Sequence, residues 1–532
     1  MSMETTASKA HTGNKGAVAP SKRSLGQLVA ISIFWFALNF HWTAINSFII
    51  PPQVVALLYR AAPAGSPAEQ TAWVNDNKAL ALAIVVAPGL VVALLANPYF
   101  GLLSDRTPGR FGRRRPYVLG GTLLNVVGLA IMALLPTLLI QDHSGVVLSA
   151  SMLALIGGLM ITQVANNGAA APFHALLPDL VPAEQRGLSS GIMGLAYWLG
   201  TIGGALLPFI FGLNFKQLLD GQQSYAALQQ QIVLAYAAVA VVIVLMAVLT
   251  VVFVHETPWQ PASLRPAQRA VESHTLRDLG LTVVAVIVIS AVTLSVLRAA
   301  TGSQFNADTF SIVSAVAAVV AGIGAARAFD FRPRRNPDFS WVVLTRMILM
   351  IGVYIVLTYL QFYMADVAHT DPNKASSEFL IVLTLTATLS TVFAGWASDH
   401  FGRKRMVYIS GAFMAVVGVA FILAPYLVPG QILTLALVAG AVFGLGFGAY
   451  ISVDWALVAD VLPSEATFAR DMGVWNIGIT IAGASGTVIG GWLLTVGKTT
   501  GTVEFGYTLL FAGFVLFCVL GTVTVRFIKG VA

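Results

Sequence analysis

A chain of 532 residues that is 57% hydrophobic and only 10% charged, with a mean hydropathy of +0.81, is too apolar for a soluble protein of this size, so its solvent is lipid. Its single cysteine, Cys518, excludes an internal disulfide and a cysteine-based metal cluster, and reads as a small apolar filler in the last helix. The net charge of +7 points to nucleic acid or other anions only if the basic residues lie where such partners can reach them.

Residues 1–26 are polar and lack the apolar core and small-residue cleavage site of a signal peptide, so they read as a disordered cytoplasmic tail. Beyond them, about fourteen stretches reach or approach the ~20 apolar residues needed to cross a hydrocarbon core. They lie at 27–49, 79–102, 117–140, 147–178, 188–213, 229–254, 279–297, 309–328, 341–365, 378–397, 407–428, 431–459, 473–496 and 506–528. With the N-terminus inside, the cytoplasmic segments hold 23 Lys and Arg against 6 on the outer side, and Arg346 falls within a span. The positive-inside rule therefore places both termini in the cytoplasm of a multi-pass, inner-membrane, all-α protein. Lipid headgroups account for the basic excess, and no nucleic-acid partner is needed.

Two motifs recur in the same order. GLLSDRTPGRFGRRRP at 101–116 and GWASDHFGRKR at 395–405 both place Gly three residues before Ser-Asp and follow it with Gly and a basic run. ALLPDLVPAEQRG at 175–187 and ALVADVLPSEATFARD at 456–471 both place Asp at the inner end of a long helix, then Pro, an acid and an arginine. The separations, 294 residues for Asp105 and Asp399 and 281 for Asp179 and Asp460, indicate two parallel copies of a six-span unit. The expected division is a bundle over 27–254, a linker over 255–340 containing an extra helical hairpin at 279–328, and a second bundle over 341–532.

The string of Gly101, Ser104, Asp105, Arg106 and Arg113–Arg115 resembles the signature cytoplasmic loop of the major facilitator superfamily, and Ser398, Asp399, Gly402 and Arg403–Arg405 repeat it. VANNGAAAPFHALLPDL at 164–180 is similar to the fourth helix of sucrose/proton symporters in the glycoside-pentoside-hexuronide branch. The resemblance implies the major facilitator fold and alternating access, with cation-coupled uptake of a sugar or glycoside as the first reading and proton-coupled efflux of drugs or metabolites as the alternative. It also implies a latch that joins the inner ends of the two halves in the outward-facing state. The residues concerned are Gly101, Asp105, Arg106, Arg113, Asp179, Arg186, Asp399, Gly402, Arg403, Asp460 and Arg470. Gly101 and Gly395 are expected where a helix passes close to a neighbour, and the aspartates where a carboxylate pairs with arginines or caps a helix of the opposite half.

Ionisable groups inside spans are expensive in lipid and mark function. Asp454 is the one acid clearly within a span, and Arg346 lies at similar depth, so the two are expected to pair; with His41 they are the candidates for coupling to H+ or Na+. Asn166 and Asn167 stand ~18–20 Å above the inner end at 1.5 Å per residue, near the midplane where transporters bind substrate. Amides suit hydroxyl-rich solutes and aromatic faces suit sugar rings, which adds His41, Trp42, Asn46, Tyr359, Gln361, Tyr450, Trp455, Trp475 and Asn476 to the binding candidates. The sucrose symporters carry an acid where this chain has Gln163 and an arginine where it has His174, so their proton-carrying carboxylate is absent here. No D-x-x-D or H-E-x-x-H pattern occurs, which disfavours an intramembrane enzyme. No cofactor or metal is expected; the partners are a small solute, a coupling ion and membrane lipid, and the protein is expected to act as a monomer.

Overall fold

The computed structural model describes residues 22–107, 109–182, 185–256, 266–301, 307–329, 331, 333–461 and 468–529. Among them every regular element is helical. The first group comprises α1 (Leu25–Trp42), a π turn (Thr43–Ile49), α2 (Ile50–Ala61), α3 (Pro67–Arg106), α4 (Arg115–Leu138), α5 (Ala150–Leu180), α6 (Arg186–Ala205), the short α7 (Leu207–Phe211) and α8 (Phe215–Leu219), and α9 (Tyr225–Phe253). The hairpin of α10 (Pro266–Thr301) and α11 (Ala307–Ala328) follows. The second group is α12 (Pro337–Asp366), α13 (Pro372–Phe401), α14 (Arg403–Leu427), α15 (Ile432–Val461), α16 (Phe468–Thr500) and α17 (Val503–Thr524).

Small polar residues fix where these helices start. Ser24 and Ser66 form capping boxes with Gln27 and Glu69 at the heads of α1 and α3, and Ser149, Ser224, Asp371 and Thr502 accept from first-turn N–H groups of α5, α9, α13 and α17. α1 begins inside the stretch expected as tail. Just before it, Arg23 is tied down by bonds to Gln185 Oε1 (2.7 Å) and the Leu180 carbonyl (3.0 Å), while residues 1–21 lie outside the described residues.

Eleven helices among the described residues are long and apolar enough to cross a membrane, against the fourteen spans expected. The expected spans outside that set correspond to α5, α11 and α13. α5 and α13, with 31 and 30 residues, are ~45 Å long and do not lack length. α5 is diluted by Gln163, Asn166 and Asn167, and of α11 and α13 only part lies among the described residues over which the eleven were counted.

Each half repeats one set of neighbours. α3 and α4 pack on α5, α1 on α6, and both α1 and α4 on α9; correspondingly α13 and α14 pack on α15, α12 on α16, and both α12 and α14 on α17. The fold is therefore two six-helix bundles in parallel repeat. The α10–α11 hairpin lies at the seam, with α11 against both α3 of the first bundle and α16 of the second. The end of the molecule carrying the heads of α1, α4 and α14, with their basic loops, is called here the basic end; the other is the far end.

Within each bundle, glycine sets the closest approaches. A Cβ at Gly448 of α15 would collide with the Ala387 carbonyl of α13, and one at Gly444 with that of Leu383, so these helices pack backbone to backbone. Gly101 differs from expectation: a Cβ there would meet Ala171 Cβ at 3.7 Å, an ordinary contact, so no close approach depends on it in this conformation. Gly402, with φ of 89°, makes the sharp turn between α13 and α14 that a side chain would oppose. Replacing Gly448 with Val should lower the melting temperature of the detergent-solubilised protein by several degrees or prevent its folding. Gly120→Ala, where nothing lies within 4 Å, should leave it unchanged, and equal melting of the two variants would contradict this packing.

Candidate functional site

The second bundle buries a complete ion pair. Arg346 of α12 and Asp454 of α15 are 4% and 1% exposed, and Arg346 Nη1 donates to Asp454 Oδ2. Lipid and protein surround both, so the pair needs further partners to offset lost hydration. Trp475 of α16 supplies one, its ring centroid 3.4 Å from the guanidinium carbon, and the buried Tyr450, one turn before Asp454 on α15, lies beside the carboxylate. Four of the expected residues thus form one cluster drawn from three helices.

In the first bundle the buried polar groups are neutral. His41 Nε2 and Asn125 Nδ2 are bonded at 3.2 Å between α1 and α4. Asn97 of α3 donates to Asn167 Oδ1 (3.2 Å), and Asn167 in turn donates to the Gln163 carbonyl (2.9 Å) and to its side chain (3.3 Å). Gln163 is packed against the position of Gly89, so the α3–α5 seam holds a ladder of amides. Asn166 is different. It is 1% exposed, and neither atom of its carboxamide has a hydrogen-bond partner; His41 Nδ1 and Asn125 Oδ1 are in the same condition. Buried polar atoms without partners call for an occupant or a second conformation that satisfies them.

The remaining binding candidates are engaged elsewhere. Asn46 donates to the Trp42 carbonyl one turn back (3.1 Å), and Trp42 meets His41 edge-on at 5.1 Å. The Tyr359 hydroxyl donates to the Thr487 carbonyl (2.6 Å) and reaches the Ala79 carbonyl in the opposite half at 3.5 Å. Gln361 Nε2 donates to the Ser47 carbonyl, also across the halves. The side chains of Trp455 and Asn476 lie outside the described residues.

At the basic end, Asp179 accepts from Arg113 Nη2 (2.8 Å) and Arg114 Nε (3.1 Å), and Arg114 Nη1 donates to Ser104 Oγ (2.5 Å). Glu256 accepts from the backbone N–H groups of Arg113 (2.9 Å), Arg114 (3.0 Å) and Arg115 (2.8 Å), capping α4. The second half repeats the arrangement with Arg403 Nε on Asp460 Oδ2 at 2.9 Å. These pairs lie within a half. The side chains of Asp105, Arg106, Arg186, Asp399 and Arg470 lie outside the described residues.

The far end holds what the sequence did not single out. Lys78 of α3, fully buried, binds Asp366 of α12 and Asn75 Oδ1 (2.9 Å); Lys498 of α16 shares the same carboxylate at 3.0 Å and Tyr507 donates to it at 2.7 Å. Alongside, Asn214 donates to Asp371 Oδ2 (2.8 Å) and Asn373 to the Leu213 carbonyl. Lys78–Asp366, Asn214–Asp371 and Asn373–Leu213, with Gln361–Ser47 and Tyr359–Ala79, join the two halves toward the far end.

The sequence profile of the Major Facilitator Superfamily matches residues 28–344 and 342–530. A general alpha-glucoside permease of Schizosaccharomyces pombe is 29% identical over 186 residues, which is 34% of this chain and 31% of that protein. The sucrose transport protein SUC3 of Arabidopsis thaliana is 28% identical over 137 residues, 24% of this chain and 22% of that protein. The matched stretches thus span less than a third of these relatives' lengths. In fold, a D-xylose-proton symporter superposes with a TM-score of 0.61 over 95% of this chain and 98% of its own, at 15% identity.

Breaking the buried pair from either side should cost about 3–5 kcal/mol, because the remaining charge stays in an apolar site. Asp454→Asn or Arg346→Gln alone is therefore expected to lower the yield and melting temperature sharply, and the double variant to recover most of both. Single variants as stable as the parent would show that the pair is not desolvated in the folded protein.

Proposed function

Because this chain belongs to the major facilitator superfamily, we propose that it moves a small sugar or glycoside across the membrane by alternating access, coupled to a cation. The observation that carries this reading is the far-end seam, where five hydrogen bonds between described residues join the halves. A molecule held shut at one end has to break that closure to release or take up a solute there. We take the basic end as cytoplasmic from the excess of Lys and Arg there, with 27–254 and 341–532 as the moving bundles and 255–340 as their link. In the outward-facing state the loops of Asp105 and Asp399 then form the opposing latch.

The relatives named for alpha-glucosides and sucrose support the substrate class. So does the chemistry of the interior: Asn166 offers a free donor and acceptor to a hydroxyl, and His41 and Asn125 offer one atom each. Arg346 and Asp454, with Tyr450 and Trp475 around them, are the coupling site of this reading. A proton delivered to Asp454 neutralises it, frees Arg346 and alters the contacts among α12, α15 and α16.

Purified protein in liposomes should take up radiolabelled sucrose or maltose, faster with the outside acid than with equal pH. The Asp454→Asn/Arg346→Gln double variant should still exchange internal for external sugar but lose accumulation driven by the pH gradient. Full accumulation by a folded double variant would remove the pair from coupling. Export in preference to uptake in vesicles of defined orientation would favour the efflux alternative.

A further inference from the structure

One backbone carbonyl in the first bundle cannot be satisfied by its own helix. In an α-helix the Ser47 carbonyl accepts from residue 51, and in a π-helix from residue 52. Those residues are Pro51 and Pro52, which have no N–H. Its neighbour two residues earlier is not in this position, because the Ile45 carbonyl accepts from Ile50 in the π register. Ser47 lies within the π turn Thr43–Ile49, and both prolines are buried at the head of α2. A bare acceptor in such surroundings is unfavourable, and water is scarce. The donor the structure provides is Gln361 Nε2 from α12, in the opposite half. Gln361 is itself 3% exposed, and its Oε1 has no partner among the described residues.

We propose that the Ser47 carbonyl and the Gln361 carboxamide form the latch by which the first helix registers whether the halves are closed at the far end. Pro51 and Pro52 make the latch obligatory by removing the donors of the α and π registers, and the Ile50 N–H is taken by the Ile45 carbonyl. Gln361 is a positioning residue, acting through the backbone of α1 and α2. The side chains that bridge the halves nearby, such as Lys78 and Asn214, can turn to other partners when the seam opens. The Ser47 carbonyl has no second partner in its helix, so it is satisfied either by closure or by water entering from the far end. This inference rests on the alternating-access reading and adds a specific switch to it.

The test uses a reporter that needs neither substrate nor a known orientation. Ala83 of α3 is buried where α3 meets Gly491 of α16, and the native Cys518 is buried, so Ala83→Cys in a Cys518→Ala background reports opening of this seam. In detergent, where both ends are accessible, the rate of maleimide labelling is measured. Gln361→Leu and the similarly sized Gln361→Met, neither of which donates, should each raise that rate roughly fivefold or more. Pro51→Ala/Pro52→Ala gives the carbonyl a local donor in either register and should raise it too. Adding Gln361→Leu to the proline variant should produce little further change, since both act on one bond. Parent-like labelling in folded Gln361 variants, or effects that multiply in the combined variant, would overturn the latch. If labelling is unchanged while sugar uptake proceeds, only the latch fails. If labelling responds as expected but no solute moves, the latch stands and the transport reading fails.

Discussion

Hydrocarbon offers no hydrogen bonds, and this structure is organised around that one fact. Serine, threonine and aspartate close the heads of the long helices, and Arg346 has Asp454 and an indole ring as substitutes for water. Asn97, Asn167 and Gln163 satisfy each other along the α3–α5 seam. Where the chain breaks its own ladder with two adjacent prolines, the missing donor comes from the other bundle. Some groups escape this rule, and in the first bundle Asn166, His41 and Asn125 are among them, with Asn166 lacking a partner on both atoms of its carboxamide.

The two bundles share a pattern of neighbours and yet differ in chemistry. The first is furnished with neutral amides and an imidazole, the second with a charged pair inside an aromatic shell. In the proposed transporter this separates recognition from energetics. Hydroxyl groups are met by the half that bears no formal charge at that depth, while titration is confined to the other. Gln163, where the sucrose symporters carry an acid, belongs to the neutral half and is already engaged by Asn167. The hairpin of α10 and α11 touches α3 and α16, one helix from each bundle, so relative motion of the bundles has to slide or tilt it.

Much of this was legible in the sequence, for identifiable reasons. The repeat was visible because charged loop motifs are conspicuous in an apolar chain. The pairing of Arg346 with Asp454 followed because a lone acid in an apolar run needs a cation, and Arg346 was the one that lay clear of a span's ends. Lys78 and Asp366 escaped notice because each falls one residue beyond an expected span, at 79–102 and 341–365, and so looked like part of a loop. α3 continues as helix from Pro67 through that boundary and carries Lys78 into the core. Gln361 was recognisable as an unusual polar residue, but its partner is a backbone carbonyl more than three hundred residues away, which no local pattern encodes. The motif glycine at 101 suggested intimacy with a neighbour that α5 does not impose here, since a motif specifies a residue and not the distance to what it faces.

The far-end cluster also has an electrical side. Lys78 and Lys498 share the carboxylate of Asp366, so two ammonium groups and their counter-charge are held in the buried closed seam. A charge in such a place feels the membrane potential, which is worth about 2.3 kcal/mol per elementary charge per 100 mV across the full field. Lys78 travels with one bundle and Asp366 with the other, so any movement that separates them along the membrane normal displaces charge within that field. In the proposed transporter the protein is thereby a small capacitor as well as a gate, and the balance between its two faces follows the voltage across the membrane.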